Sequence, residues 1–260
     1  MLFPLAVCDL NQYLKHKPPP DVMSGIGIWL IEQMLGTCEA IEYLHEYISS
    51  EGESLPTRRI GFHHDLKPAN ILLFESGKAN RPVWKLGDFG SGDVKYTAVK
   101  STEELYNRKA STGDPVYSAP EHVVQGRVSR SKDIWSLGCI FLECLIWTLI
   151  QEQDAVKQFE TARNKFSLDN PYNSPLYWCQ KLQGKPYLNP EVVGALQGLD
   201  DSREVHKNYK AALNIVRQML VVEPESRLNA VQLCKHFRSL QTRWTELWII
   251  GLMDCRGTDD

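Results

Sequence analysis

The stretch GFHHDLKPANILL, residues 61–73, sets two histidines, an aspartate, a lysine and an asparagine within residues 63–70, just ahead of an apolar run. Pro68 bars a continuing helix, so Asp65, Lys67 and Asn70 share a loop. Further on, Asp88 ends a strand-like run in GDFG, beside Gly90, which tolerates strained backbone angles. Two carboxylates and an amide oxygen are hard donors of the kind Mg²⁺ takes. A lysine beside them suits a phosphate, and an aspartate without a metal can accept or steer a hydroxyl proton. These are the parts of a phosphoryl-transfer centre, where positioning and charge neutralisation do most of the catalysis. The adjacent His63 and His64 point apart and lack a partner four residues away, which argues against a metal pair. His63 reads instead as a packed histidine that hydrogen-bonds to hold the loop.

Working outward, 260 residues with 43% hydrophobic content can bury a substantial core. With 29 basic and 32 acidic residues the net charge is −3, which gives no nucleic-acid footprint. The seven cysteines are scattered and form no C-x-x-C pair, so a reduced intracellular thiol set, cytoplasmic or nuclear, is expected. The N-terminal MLFPLAVCDL lacks a basic region and its apolar run stops at Asp9, too soon for a secretory signal. The run 134–150 carries Glu143 near its centre and falls short of the roughly 20 apolar residues of a membrane span, so it reads as a buried helix and no membrane is expected.

Apolar residues at 30, 34, 38, 41, 44 and 48 predict a long amphipathic helix over 21–48, with Asp21 as its cap. Residues 49–58 are polar and broken by Gly and Pro, and predict a loop. NILLF and VWKLGDF flank a turn and predict a hairpin. Residues 91–112 show no periodicity and predict a mobile surface loop. Helices dominate after residue 118: 134–150, the amphipathic EQDAVKQFETARNKF, and two segments with faces at 209, 213, 216, 220 and at 230, 233, 237, 240. The expected architecture is mainly α-helical with a small β hairpin near the loop.

At this point the chain resembles the eukaryotic-type protein kinases, in their C-terminal lobe. HHDLKPAN is similar to their catalytic loop, DFG to their magnesium loop, and APE (119–121) to the end of their activation segment. DIWSLGC (133–139) resembles the start of their central helix, and ESRLNA (225–230) their late arginine segment. The motifs fall in the family's order over residues 1–240, leaving 241–260 as an aromatic-rich tail expected to pack on the lobe. The resemblance implies an α+β kinase-like fold and transfer of the ATP γ-phosphate to a serine or threonine hydroxyl of a protein substrate. Asp65 would be the catalytic base, Lys67 would neutralise the transferring phosphate, and Asn70 and Asp88 would hold Mg²⁺. Leu72 would floor the adenine and Asp9 would contact the ribose. Glu121 and Arg227 would form a buried ion pair, and Asp133 would accept backbone hydrogen bonds from the catalytic loop. Lysine at position 67 is typical of the serine/threonine type.

Three departures stand against this pattern. His64 replaces the arginine that grips a phosphorylated activation loop, which weakens the case for control at Ser101, Thr102, Ser111 or Thr112. Asp114 stands where a threonine is common, and its carboxylate is expected to repel Asp65 unless Lys67 or an added cation screens it. No glycine-rich loop or strand lysine precedes the motif. LFPLAVCDLNQYL resembles the hinge between lobes, so the expectation is a chain that starts at the hinge, without the N-terminal lobe. A partner covering the exposed inter-lobe surface is then expected. The alternatives are a kinase-derived binding or scaffold module without turnover and, further off, a small-molecule phosphotransferase.

Overall fold

The computed structural model describes residues 4–20, 25–46, 48–49, 57–77, 81–91, 93–98, 106–107, 114–169, 174–181, 184–202 and 207–249. In chain order the elements are β1 (Cys8–Asp9), α1 (Leu10–His16), α2 (Ile26–Glu46), β2 (Ile48–Ser49), β3 (Thr57–Phe62), β4 (Ile71–Phe74), β5 (Val83–Leu86), β6 (Asp93–Ala98) and β7 (Tyr106–Asn107). They continue with α3 (Pro120–Gln125), β8 (Arg127–Val128), α4 (Arg130–Leu149), α5 (Ala155–Arg163), β9 (Trp178–Cys179), β10 (Tyr187–Leu188), α6 (Pro190–Asp201), α7 (Lys207–Met219) and α8 (Ala230–Ile249).

Helix α4 is the axis of the core. From Lys132 to Thr148 every residue is buried, the polar ones included, because α2, α5, α6 and α7 surround it. Among the described residues no helix is long and apolar enough to cross a membrane. Of the α2 stripe, Leu30, Met34, Cys38 and Ile41 are buried and Leu44 is half-buried, while the expectation for Ile48 is corrected: α2 ends at Glu46 and Ile48 pairs with Arg58 in β2. The helix is described from Ile26 to Glu46, and the proposed cap Asp21 lies outside the described residues. The faces expected on the last two helices are also inside: Tyr209, Leu213, Val216 and Leu220, then Ala230, Leu233, Phe237 and Leu240. Helix α8 runs on past residue 240, and Trp244 packs edge-on against Tyr209 at 4.7 Å between ring centres. The described cysteines are free thiols, all but Cys8 buried.

The predicted hairpin forms: β4 and β5 pair antiparallel from Ile71↔Leu86 to Phe74↔Val83. β1 adds to its other side, with Asp9 opposite Leu72. Two loop expectations are corrected. Part of 49–58 is strand, since β2 pairs with β3 through Ile48↔Arg58 and Ser49↔Thr57. Part of 91–112 is strand too: β6 pairs with β3 over six residues, from Thr57↔Ala98 to Phe62↔Asp93, and β7 pairs with β8. Neither segment shows the two-residue alternation of a half-buried strand. Their order comes from backbone pairing, between near neighbours in β2–β3 and across 31 to 41 residues in β3–β6, which side-chain pattern does not report. Gly61 permits this sheet to sit on α2, where a Cβ would stand 2.9 Å from the Leu44 carbonyl oxygen.

Candidate active site

Residues 63–70 lie between β3 and β4 and cross the end of α4. His63 is buried, its Nε2 is 2.9 Å from the Gly87 carbonyl, and its ring lies against Phe89. It therefore ties the loop to the segment carrying Asp88, the packed role expected from the sequence. His64 adopts a left-handed backbone with φ 67°, and Asp88 one with φ 55°. Such angles cost a non-glycine residue about 1–2 kcal/mol and need fixed surroundings to persist. At His64 the surroundings are two neighbours in the first turn of α4. Asp133 Oδ1 accepts its N–H at 3.2 Å, and Lys132 Nζ donates to its carbonyl at 2.7 Å.

Asp133 accepts the His63 N–H at 3.0 Å as well, and its Oδ2 is 2.9 Å from His45 Nε2. Full burial would raise its carboxyl, but the His45 hydrogen bond and charge, with the His63 amide, outweigh burial and bring it down to about 2. Asp133 thus makes the backbone bonds expected of it. His45, 88 residues away, was not singled out from the sequence, since nothing local to it marks a carboxylate partner.

The loop then closes in a 3₁₀ turn at Pro68–Asn70, entered through an extended Lys67. The turn brings three side chains together. Lys67 Nζ lies 2.8 Å from Asp65 Oδ2, and Asn70 Nδ2 donates to the same oxygen at 3.2 Å and to the Asp65 carbonyl at 2.7 Å. With its amide nitrogen facing Asp65, Asn70 turns its Oδ1 to the opposite edge. The other Asp65 oxygen accepts the backbone N–H of Asp114 at 2.9 Å. Burial would raise the Asp65 carboxyl, but these donors, Lys67 first, hold it below the ordinary range. Lys67 is pushed up, chiefly by its hydrogen bond to Asp65 and further by the charges of Asp114 and Asp88.

The expected clash between Asp114 and Asp65 does not arise in this geometry. The Asp114 carboxylate turns away to cap the following turn, accepting the Val116 N–H at 2.9 Å, and only its amide meets Asp65. The sites at 101, 102, 111 and 112 lie outside the described residues. Asp9 and Leu72 form a separate pair across β1 and β4. Leu72 is half-buried against Gly87, where a Cβ would come within 3.0 Å of it. The Asp9 carboxylate caps α1 by accepting the Gln12 N–H at 2.9 Å, a use the sequence reading did not assign.

Beyond the loop, Arg227 and Glu121 form the expected pair across 106 residues, with Nη1–Oε1 at 2.8 Å and Nη2–Oε2 at 3.2 Å. Arg227 also donates to the carbonyls of Ser131, Val221 and Val222, which fastens α3 to α4 and the segment before α8. No cluster of three His, Cys, Asp or Glu fit to hold a metal occurs among the described residues. Asn70 Oδ1 and the Asp88 carboxylate still suit Mg²⁺, which takes a few protein oxygens and completes its shell with water and substrate phosphate.

A loop aspartate braced by lysine and asparagine, a second aspartate after the hairpin and a buried glutamate–arginine anchor together define a class. Residues 28–237 match the protein kinase domain family, and the chain belongs to it. It is 30% identical over 208 residues to the mouse (Mus musculus) interferon-induced, double-stranded RNA-activated protein kinase, covering 78% of this chain and 35% of that one. It is 29% identical over 208 residues to a mitogen-activated protein kinase kinase kinase of Drosophila melanogaster, covering 74% and 15%. It is 32% identical over 153 residues to serine/threonine-protein kinase SSN3 of Chaetomium globosum, covering 56% and 25%. The chain therefore spans about a third or less of the length of each of these relatives.

Proposed function

We propose that this lobe transfers the γ-phosphate of ATP to a serine or threonine hydroxyl of a protein substrate. The observation that carries the reading is the Asp65 carboxylate, ionised and fixed by Lys67, Asn70 and the Asp114 amide. A carboxyl held below its ordinary range is a weak base, so Asp65 first aligns the acceptor hydroxyl and receives its proton as that oxygen loses charge to phosphorus. Lys67 is fully cationic at neutral pH and within reach of the same oxygen, where it offsets the charge on the moving phosphoryl group. Asn70 Oδ1 and Asp88 would hold Mg²⁺, which when bound neutralises phosphate oxygens. Leu72 would line the adenine site. Asp9 would contact the ribose through the carboxylate oxygen that does not cap α1. The serine/threonine type rests on Lys67 and on the kind of relative matched.

The test uses the protein at its natural length, isolated from its own cells. Mg-ATP binding is expected to collapse in Asp88→Ala, and phosphate transfer to vanish in Asp65→Asn with binding retained. A partner held equally well by wild type and both variants, with no transfer by any of them, would instead make the chain a kinase-derived binding module.

A further inference from the structure

We infer that Lys132 is a positioning residue, linking the seat of α3 to the backbone that aims Asp65. Lys132 is buried in the first turn of α4, the residue 1% exposed, where a lysine needs fixed partners. One partner is the His64 carbonyl at 2.7 Å, immediately before Asp65, and the other is His122 Nε2 at 3.2 Å. Because Lys132 only donates, His122 Nε2 must accept, so the imidazole proton sits on Nδ1 and points to the Arg127 carbonyl at 3.3 Å. Burial first, then the charge of Lys132, pulls His122 down to about 4, consistent with a neutral ring facing Lys132, His64 and Asp133. His122 follows Glu121, which Arg227 anchors. Neighbouring residues of α4 therefore hold both ends of the left-handed His64: Asp133 its N–H and Lys132 its carbonyl. A shift of α3 would move His122, then Lys132, then the peptide on which Asp65 stands.

Two readouts need no catalysis. In wild type, ¹⁵N NMR should show His122 protonated at Nδ1 and bare at Nε2; the opposite tautomer overturns the inference. In Lys132→Met, hydrogen exchange at the His63, His64 and Asp65 amides should accelerate about tenfold beyond any change in global stability, with α7 amides following the global change alone. Uniform acceleration, or none, would reduce Lys132 to a buried structural residue. Should Lys132→Met fail to fold, His122→Leu gives the same contrast from the other end of the link. The kinetic arm rests on the proposed phosphotransfer: kcat should fall about tenfold or more with the KM for ATP nearly unchanged, as expected when a reacting group is misaimed. If wild type transfers no phosphate, the proposed function fails, while the exchange and tautomer results still decide the role of Lys132.

Discussion

Replacing Glu121 by Leu would strand a buried cation. The Arg227 side chain is 0% exposed and that of Glu121 3%, so water cannot re-solvate whichever partner remains. Removing one member of a buried pair costs about 3–5 kcal/mol, because the other charge stays buried without compensation. Arg227 would keep the Ser131, Val221 and Val222 carbonyls and its place over the Trp135 ring, which points to the lower end, about 3 kcal/mol. Arg227→Met should cost more, about 4–5 kcal/mol, since it leaves the carboxylate alone and frees those carbonyls as well. The double variant Glu121→Leu/Arg227→Met removes both charges and should recover at least about 2 kcal/mol relative to the sum of the single changes. Urea unfolding of the four proteins measures this directly: at about 2–3 kcal/mol per molar, 3 kcal/mol is a midpoint shift of about 1 M or more. The Glu121→Leu loss should also persist in about 0.5 M salt, where exposed pairs are screened. Strict additivity in the double variant, or a single loss under about 1 kcal/mol, would refute the argument.

Asp133, depressed from an ordinary 3.8 to about 2, stabilises the fold above pH 4 and loses that contribution as pH falls towards 2. Its size is on the order of 2 kcal/mol, so the stability gap between wild type and Asp133→Asn should narrow across that window in acid titrations followed by denaturant. Gly27→Ala places a methyl against the Trp244 ring and 2.7 Å from Tyr209 Oη, so it should cost about 1–3 kcal/mol of overpacking, read as a lower Tm and partly relieved by Trp244→Leu. Asp114 already has φ −67°, so Asp114→Pro suits its backbone while deleting the N–H that Asp65 accepts. The Asp65 carboxyl should then titrate higher by ¹³C NMR than in Asp114→Ala, which loses the same carboxylate charge and Val116 cap but keeps the N–H, at a stability cost of about 1 kcal/mol.

Much of this could be read along the chain because it rests on short-range pattern. Helical spacing placed Met34, Cys38 and Phe237 inside, and the β4–β5 hairpin is a local turn between apolar runs. The resemblance named the Glu121–Arg227 and Asp133 contacts, which no periodicity could locate. What escaped depends on partners far apart in sequence. His45 meets Asp133 only after α2 crosses α4, and Lys132 passes for an ordinary polar residue at a helix start until His64 and His122 converge on it. The orientation of Asp114 escaped for another reason: composition gives a residue's charge but not whether its amide or its carboxylate faces a neighbour.

The two ladders around the site have a mechanical consequence. Strands β3 and β4 belong to one run of chain and β5 and β6 to the next, so β3–β6 and β4–β5 are two stretches of one long antiparallel ribbon. Between the stretches the ribbon parts, with positions 63–70 on one leg and 87–91 on the other. Asp65 and Asp88 sit on opposite legs of that opening, clamped at both ends. Slipping either ladder by one residue would slide one aspartate past the other by about 3.3 Å. The spacing of the two carboxylates is therefore built into strand register, and one residue inserted or deleted within β3 or β5 should damage the site more than several added between β4 and β5.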